Sequence, residues 1–247
     1  MKTLFFGNSH VGAYKRGFKL LSEKRKESIL LNELYEFYFE IEPSFVSIPG
    51  PNWKNVTIDN SPIIGIPDKT YVHINGVKTN KVNNTYDFTS FNTLDFDNII
   101  FCRGANIVTL CRLFNSGSYP TLLTSSMLSY ILANCLDPQF KIILSSNTVS
   151  KFIYAGSPVQ FLESRIDWST CNFKHEKVHS RNLSFLRKHI HNRMGFDVLI
   201  PPPHCIDSSG RFTLDSYGKN PKEDIGHANE NYAIEMLVEL RLLLERG

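Results

Sequence analysis

The chain has 247 residues, 42% of them hydrophobic, enough for one substantial core and usually too few for two full domains. With 27 basic residues against 24 acidic ones the net charge is only +3, so the concentrated basic face of a nucleic-acid binder is not expected. Five scattered cysteines (Cys102, Cys111, Cys135, Cys171 and Cys205) include no C-x-x-C pair, which suggests neither a zinc knuckle nor a disulfide framework and fits a reducing compartment.

In chain order, Thr3 to Phe6 is a short apolar run that stops at Gly7. A polar turn follows, and then Val11, Tyr14, Phe18 and Leu21 recur at helical spacing, predicting a strand, a tight turn and a helix. A second helix is predicted from about Ser28 to Phe39, ended by Pro43, and Ser44 to Ile48 is the next strand. Residues 52–97 form an irregular excursion rich in Asn, Thr, Pro and Asp, in which Tyr71–Ile74, Asn75-Gly76 and Val77–Thr79 resemble a hairpin with a two-residue turn. Asn98 to Cys102 is predicted as a buried strand, Leu122 to Leu136 as a helix and Lys141 to Leu144 as a strand. The stretch 147–178 is ambiguous. Leu183 to Arg193 has a helical pattern with Gly195 just past its end, and Phe196 to Ile200 is a strand stopped by three prolines. The last helix runs from about Glu230 to Glu245.

Five short strands alternating with helices predict a single α/β domain over 1–247, a three-layer sandwich built on a five-stranded parallel, flavodoxin-like sheet flanked by helices. The N-terminal apolar run is too short for a signal peptide and no apolar stretch reaches membrane-spanning length, so a cytoplasmic protein is expected. Ligands of such sheets bind outside the carboxyl ends of the strands. Gly7-Asn8-Ser9-His10, Gly50, Gly104-Ala105-Asn106, Ser145–Asn147 and Pro201–His204 therefore draw attention.

Ester chemistry needs a hydroxyl nucleophile, a base in hydrogen-bond reach, a group that orients the base, and donors for the oxyanion. Ser9 supplies a hydroxyl at a strand end, and Asp224-Ile-Gly-His227, on a turn ahead of the last helix, supplies a base and an orienter. Singly, each has a plainer role: Ser9 as a helix cap, Asn8 as a turn residue, Asn106 bonding its own backbone, Asp224 and His227 as an ion pair. Arg103 and His204 are further candidates for contact with substrate, beside readings as a surface ion pair and a loop histidine. His10 is read as structural, and the histidines show no metal-ligand spacing.

Four blocks resemble the SGNH hydrolase superfamily, the GDSL-like lipases and esterases, in order along the chain. Phe5-Phe6-Gly7-Asn8-Ser9-His10 is similar to the G-D-S-L element, with Asn8 replacing Asp. Ile48-Pro49-Gly50 is similar to the glycine block after the second strand, and Gly104-Ala105-Asn106 to the G-x-N element, although Ile107 follows where the family has Asp. Asp224-Ile-Gly-His227 is similar to D-x-x-H. The resemblance implies Ser9 as nucleophile, His227 as general base and acid, and Asp224 as its orienter. It also implies an oxyanion hole from the Ser9 and Gly50 N–H groups and the Asn106 amide. A cofactor-free, metal-free enzyme acting on a small-molecule or glycan ester is expected, with Asn8, Arg103 and His204 near the substrate. Acyl transfer to a glycan, a non-catalytic flavodoxin-like binding protein whose Gly7–Gly12 loop cradles a phosphate, and an inactive descendant of the superfamily are the alternatives. Oligomeric state is unassigned.

Overall fold

The computed structural model describes residues 1–48, 56–59, 71–74, 90–103, 151–156, 187–192, 194–207, 213–220 and 224–245; for 56–59, 71–74, 90–91 and 224–226 only the backbone is described. The expected helix Leu122–Leu136, the expected strand Lys141–Leu144, Gly50 and Gly104–Asn106 lie outside these residues.

Five strands form one parallel sheet: β1 (Thr3–Gly7), β2 (Pro43–Ser47), β6 (Asn98–Cys102), β7 (Lys151–Tyr154) and β8 (Asp197–Val198). Their order is β2-β1-β6-β7-β8, the flavodoxin-like arrangement. The fold is thus an α/β sandwich, as the alternation of strands and helices predicts. One strand differs: the fourth position is taken by Lys151–Tyr154, within the ambiguous stretch. Its Phe152, Ile153 and Tyr154 are buried, as a central strand covered on both faces requires. The residues that follow the fourth strand are therefore Ala155 and Gly156 rather than Ser145–Asn147.

Helices α1 (Val11–Lys24) and α2 (Ile29–Glu40) connect β1 to β2, and α3 (Glu230–Glu245) closes the described chain. All three cover one sheet face, where Phe5, Ile100, Ile153 and Leu199 meet Tyr14, Leu21, Tyr38, Met236 and Leu237. Burying each such side chain stabilises the fold by about 1.5–3 kcal/mol. Contact between α1 and α3 is close because Gly17 has no side chain: a Cβ there would lie 3.0 Å from that of Ala233. The cap of α2 is Ser28, whose hydroxyl accepts the Leu31 N–H at 3.2 Å. On the other sheet face runs an aromatic row, Phe6–Phe101–Tyr154–Phe196, with centroid separations of 5.8, 6.2 and 6.3 Å. A helical segment, 187–192, precedes β8. Gly195 follows it with a positive φ of 74°, a conformation that favours glycine.

The excursion carries a second sheet, antiparallel, of β3 (Val56–Asp59), β4 (Tyr71–Ile74) and β5 (Ser90–Asn92) in the order β3-β4-β5. The strand expected at 71–74 is present, but its partners are not residues 77–79. Both its edges are taken, by Val56–Asp59 and Ser90–Asn92, which leaves no edge for a two-residue hairpin. Near the C-terminus, β9 (Gly218–Asn220) and β10 (Asp224–Ala228) form a two-stranded antiparallel ribbon. Among the described residues, no helix is long and apolar enough to cross a membrane.

Candidate active site

In a 2-1-3-4-5 sheet the chain leaves β1 toward one edge and later crosses to β6 on the other side. The carboxyl ends of β1 and β6 therefore flank the topological switch point, the place where sheets of this kind bind ligands. Gly7 pairs with Cys102 at this end, and a Cβ on Gly7 would lie 2.7 Å from the Cys102 carbonyl carbon. Only glycine lets the two strands close there. The next residue, Asn8, donates its N–H to the Cys102 carbonyl (3.4 Å) and accepts the Ser47 hydroxyl at its own carbonyl (2.9 Å). The turn that carries Ser9 is thus tied to both flanking strands.

Ser9 is exposed, and its Oγ is hydrogen bonded to Nε2 of His227, 218 residues away in sequence. The capping role open to Ser9 is not the one it has: α1 starts without a side-chain cap. Asn8 does the turn work, its Oδ1 accepting the His10 N–H at 3.1 Å. The Val11, Gly12 and Ala13 N–H groups bond the carbonyls of Asn8, Ser9 and His10 at 3.0–3.1 Å. The first N–H groups of the helix are therefore all engaged, whereas among the described residues the Ser9 N–H has no acceptor.

His227 stands on β10, a strand rather than the turn expected for Asp224–His227. In a regular strand, residues three apart face opposite sides. This strand is irregular: its step from Asp224 to Ala228 is matched by the shorter step from Asn220 to Gly218 on β9. The irregularity lifts the alternation between positions 224 and 227. The Asp224 backbone opens β10, and its side chain lies outside the described ones. For the serine hydroxyl to donate to Nε2, the imidazole proton must sit on Nδ1 and needs an acceptor there, the task expected of Asp224.

Two contacts beside His227 were not legible in the sequence. His10, read as structural, is buried with its ring 5.4 Å from that of His227 at 38°. Arg16, not singled out at all, donates from Nη2 to the Ala228 carbonyl (3.1 Å) and stands 3.6 Å from the Glu230 carboxylate. Nothing in residues 10 and 16 signals a neighbour two hundred positions on. Behind His10, a small cavity is lined by Ala13, Tyr14, Ala155, Gly156, Ala228 and Tyr232, among others.

Of the other expected residues, Arg103 follows β6 at the switch point and is half-buried. His204 is exposed on a single 3-10 turn, Pro203–Cys205, and its Nε2 pairs with Glu235 of α3 at 2.9 Å. Gly50 and Asn106 lie outside the described residues. The two cysteines among the described residues are buried: burial pushes the Cys102 thiol far up, and burial with the nearby Glu235 charge pushes Cys205 up to about 12. Nor do three or more His, Cys, Asp or Glu side chains cluster as metal ligands among the described residues. No protein-family model, curated protein or solved structure matches the chain.

Proposed function

We propose that this protein is a serine-dependent acyl-ester hydrolase of SGNH type that removes a small acyl group, such as acetyl, from a carbohydrate or related ester. The observation that carries the reading is the Ser9 Oγ–His227 Nε2 hydrogen bond at the switch point of the sheet. In this reaction His227 takes the Ser9 proton as Oγ attacks the acyl carbon. The tetrahedral adduct collapses, His227 returns the proton to the departing alcohol oxygen, and an acyl-serine remains. Water, deprotonated by His227, then attacks the acyl carbon. The free acid leaves and Ser9 regains its proton. The unengaged Ser9 N–H is one donor for the oxyanion, and Gly50 and Asn106 are the others that the SGNH resemblance implies.

A phosphate cradle on α1 is the weaker reading. It needs free N–H groups at the helix start, and those of His10, Val11, Gly12 and Ala13 are already bonded.

The test is acid release from a panel of O-acetylated sugars and model esters, with and without a hydroxyl acceptor. Release without acceptor supports hydrolysis, and Ser9→Ala should lower turnover by about 10⁶. Accumulation of an acylated glycan in place of free acid would reassign the site to acyl transfer. A Ser9→Ala variant with near-native activity would remove the mechanism.

A further inference from the structure

We propose that Arg16 is a positioning residue that locks the base onto the helix carrying the nucleophile; this rests on reading Ser9 and His227 as a catalytic pair. His227 does not belong to the five-stranded sheet. It sits on the β9–β10 ribbon, and a two-stranded ribbon alone is marginally stable in water. Its place relative to Ser9 must come from contacts beyond the ribbon.

Those contacts converge on α1. The Ser9 turn leads directly into that helix, so the nucleophile moves with it. From the helix, the Arg16 guanidinium bonds the Ala228 carbonyl, the next carbonyl along the chain from His227. Glu230, at the start of α3, stands 3.6 Å from Nε of the same guanidinium. Ala228 is itself buried, so the carbonyl that Arg16 reaches is held inside the fold. Nucleophile and base are in this way both referred to α1.

The experiment uses the full chain and a fluorophosphonate probe, reading the rate of Ser9 modification by peptide mapping alongside the thermal midpoint. Arg16→Gln should slow labelling about 10- to 100-fold, the penalty of a base displaced by a fraction of an ångström to one ångström. The midpoint should move little, because the Arg16 side chain is 42% exposed. Arg16→Lys, which keeps the charge and loses the planar fork, should recover part of the rate. In a His227→Ala background, Arg16→Gln should add no further loss, since Arg16 acts only through the base. Native-rate labelling of Arg16→Gln overturns the proposal, as does an equal loss in the His227→Ala background. If Arg16→Gln does not fold, Arg16→Lys decides: native-rate labelling overturns the proposal and slowed labelling supports it. Failure of the unmodified chain to label at Ser9 is a different result; it removes the catalytic reading itself and the proposal with it.

Discussion

Replacing Gly7 by Ala tests the strand-end geometry on which the site depends. The added Cβ would overlap the Cys102 carbonyl oxygen and lie 2.7 Å from its carbon, where ordinary contact begins at 3.4 Å. The obstacle is backbone in a fully paired parallel ladder, so no side chain can turn aside. The strands must part by at least roughly 0.7 Å to clear that carbon and by more to clear the oxygen, an overpacking strain of about 1–3 kcal/mol. The Asn8 N–H bond to Cys102 is already long at 3.4 Å and is lost in the process, adding about 0.5–1.5 kcal/mol. Together these predict a loss of about 1.5–4.5 kcal/mol, read as a lower urea midpoint. The displacement falls at the first residue of the Ser9 turn, so Ser9 labelling by a fluorophosphonate should also slow by about 10²-fold. A variant within about 0.5 kcal/mol of the native protein, labelled at the native rate, would refute this account of why glycine stands at position 7.

Asn229→Ala removes a cap, a tie to the ribbon and a tie to the turn before it: Asn229 accepts the Tyr232 N–H at 3.1 Å and donates to the Gly218 and Ser216 carbonyls at 3.2 and 2.7 Å. It should cost about 1–3 kcal/mol and slow the reaction, and an unchanged melting curve would count against the cap. Asp197→Ala acts at the amino end of the sheet, where Asp197 meets His191 at 2.8 Å and Lys151 at 3.3 Å. It should destabilise by about 1–2 kcal/mol and leave acid release by the folded protein unchanged; a turnover defect would show coupling across the sheet that this account lacks. Stability should also fall in alkali. Burial raises the thiols of Cys102 and Cys205 from 9.0, Cys205 to about 12, and raises the Tyr14, Tyr38 and Tyr232 phenols. The unfolded chain gives up these protons from about pH 9 while the folded chain keeps them, so stability is full below pH 9 and declines toward pH 12. Each group adds up to about 1.4 kcal/mol per pH unit. A urea midpoint that stays flat from pH 8 to 11 would contradict this.

The parts of the fold legible in the sequence are those whose signal is local. Val11, Tyr14 and Leu21 mark α1 because one stripe meets the core, and Ser28 and Gly195 mark helix ends through backbone chemistry confined to a few residues. The fourth strand was not legible. Lys141–Leu144 and Lys151–Tyr154 are both short apolar runs, and hydropathy alone does not choose which one a sheet takes. Pairing of Tyr71–Ile74 was misjudged because Asn75-Gly76 is a strong local turn signal, whereas the partners lie farther along the chain in both directions. At the site, Ser9 could be nominated from its strand-end position and His227 from the Asp224-Ile-Gly-His227 spacing ahead of the last helix. His10 and Arg16 could not, because their value comes from a tertiary approach to β10 with no counterpart in local pattern.

The central claim is that Ser9 is an activated nucleophile, and one measurement reaches it directly. The full chain is treated with a fluorophosphonate probe, digested and mapped, in parallel with His227→Ala. The account predicts one modified serine, Ser9, with modification lost or slowed by orders of magnitude when His227 is removed. An unmodified Ser9, or one that reacts equally fast without His227, would contradict it.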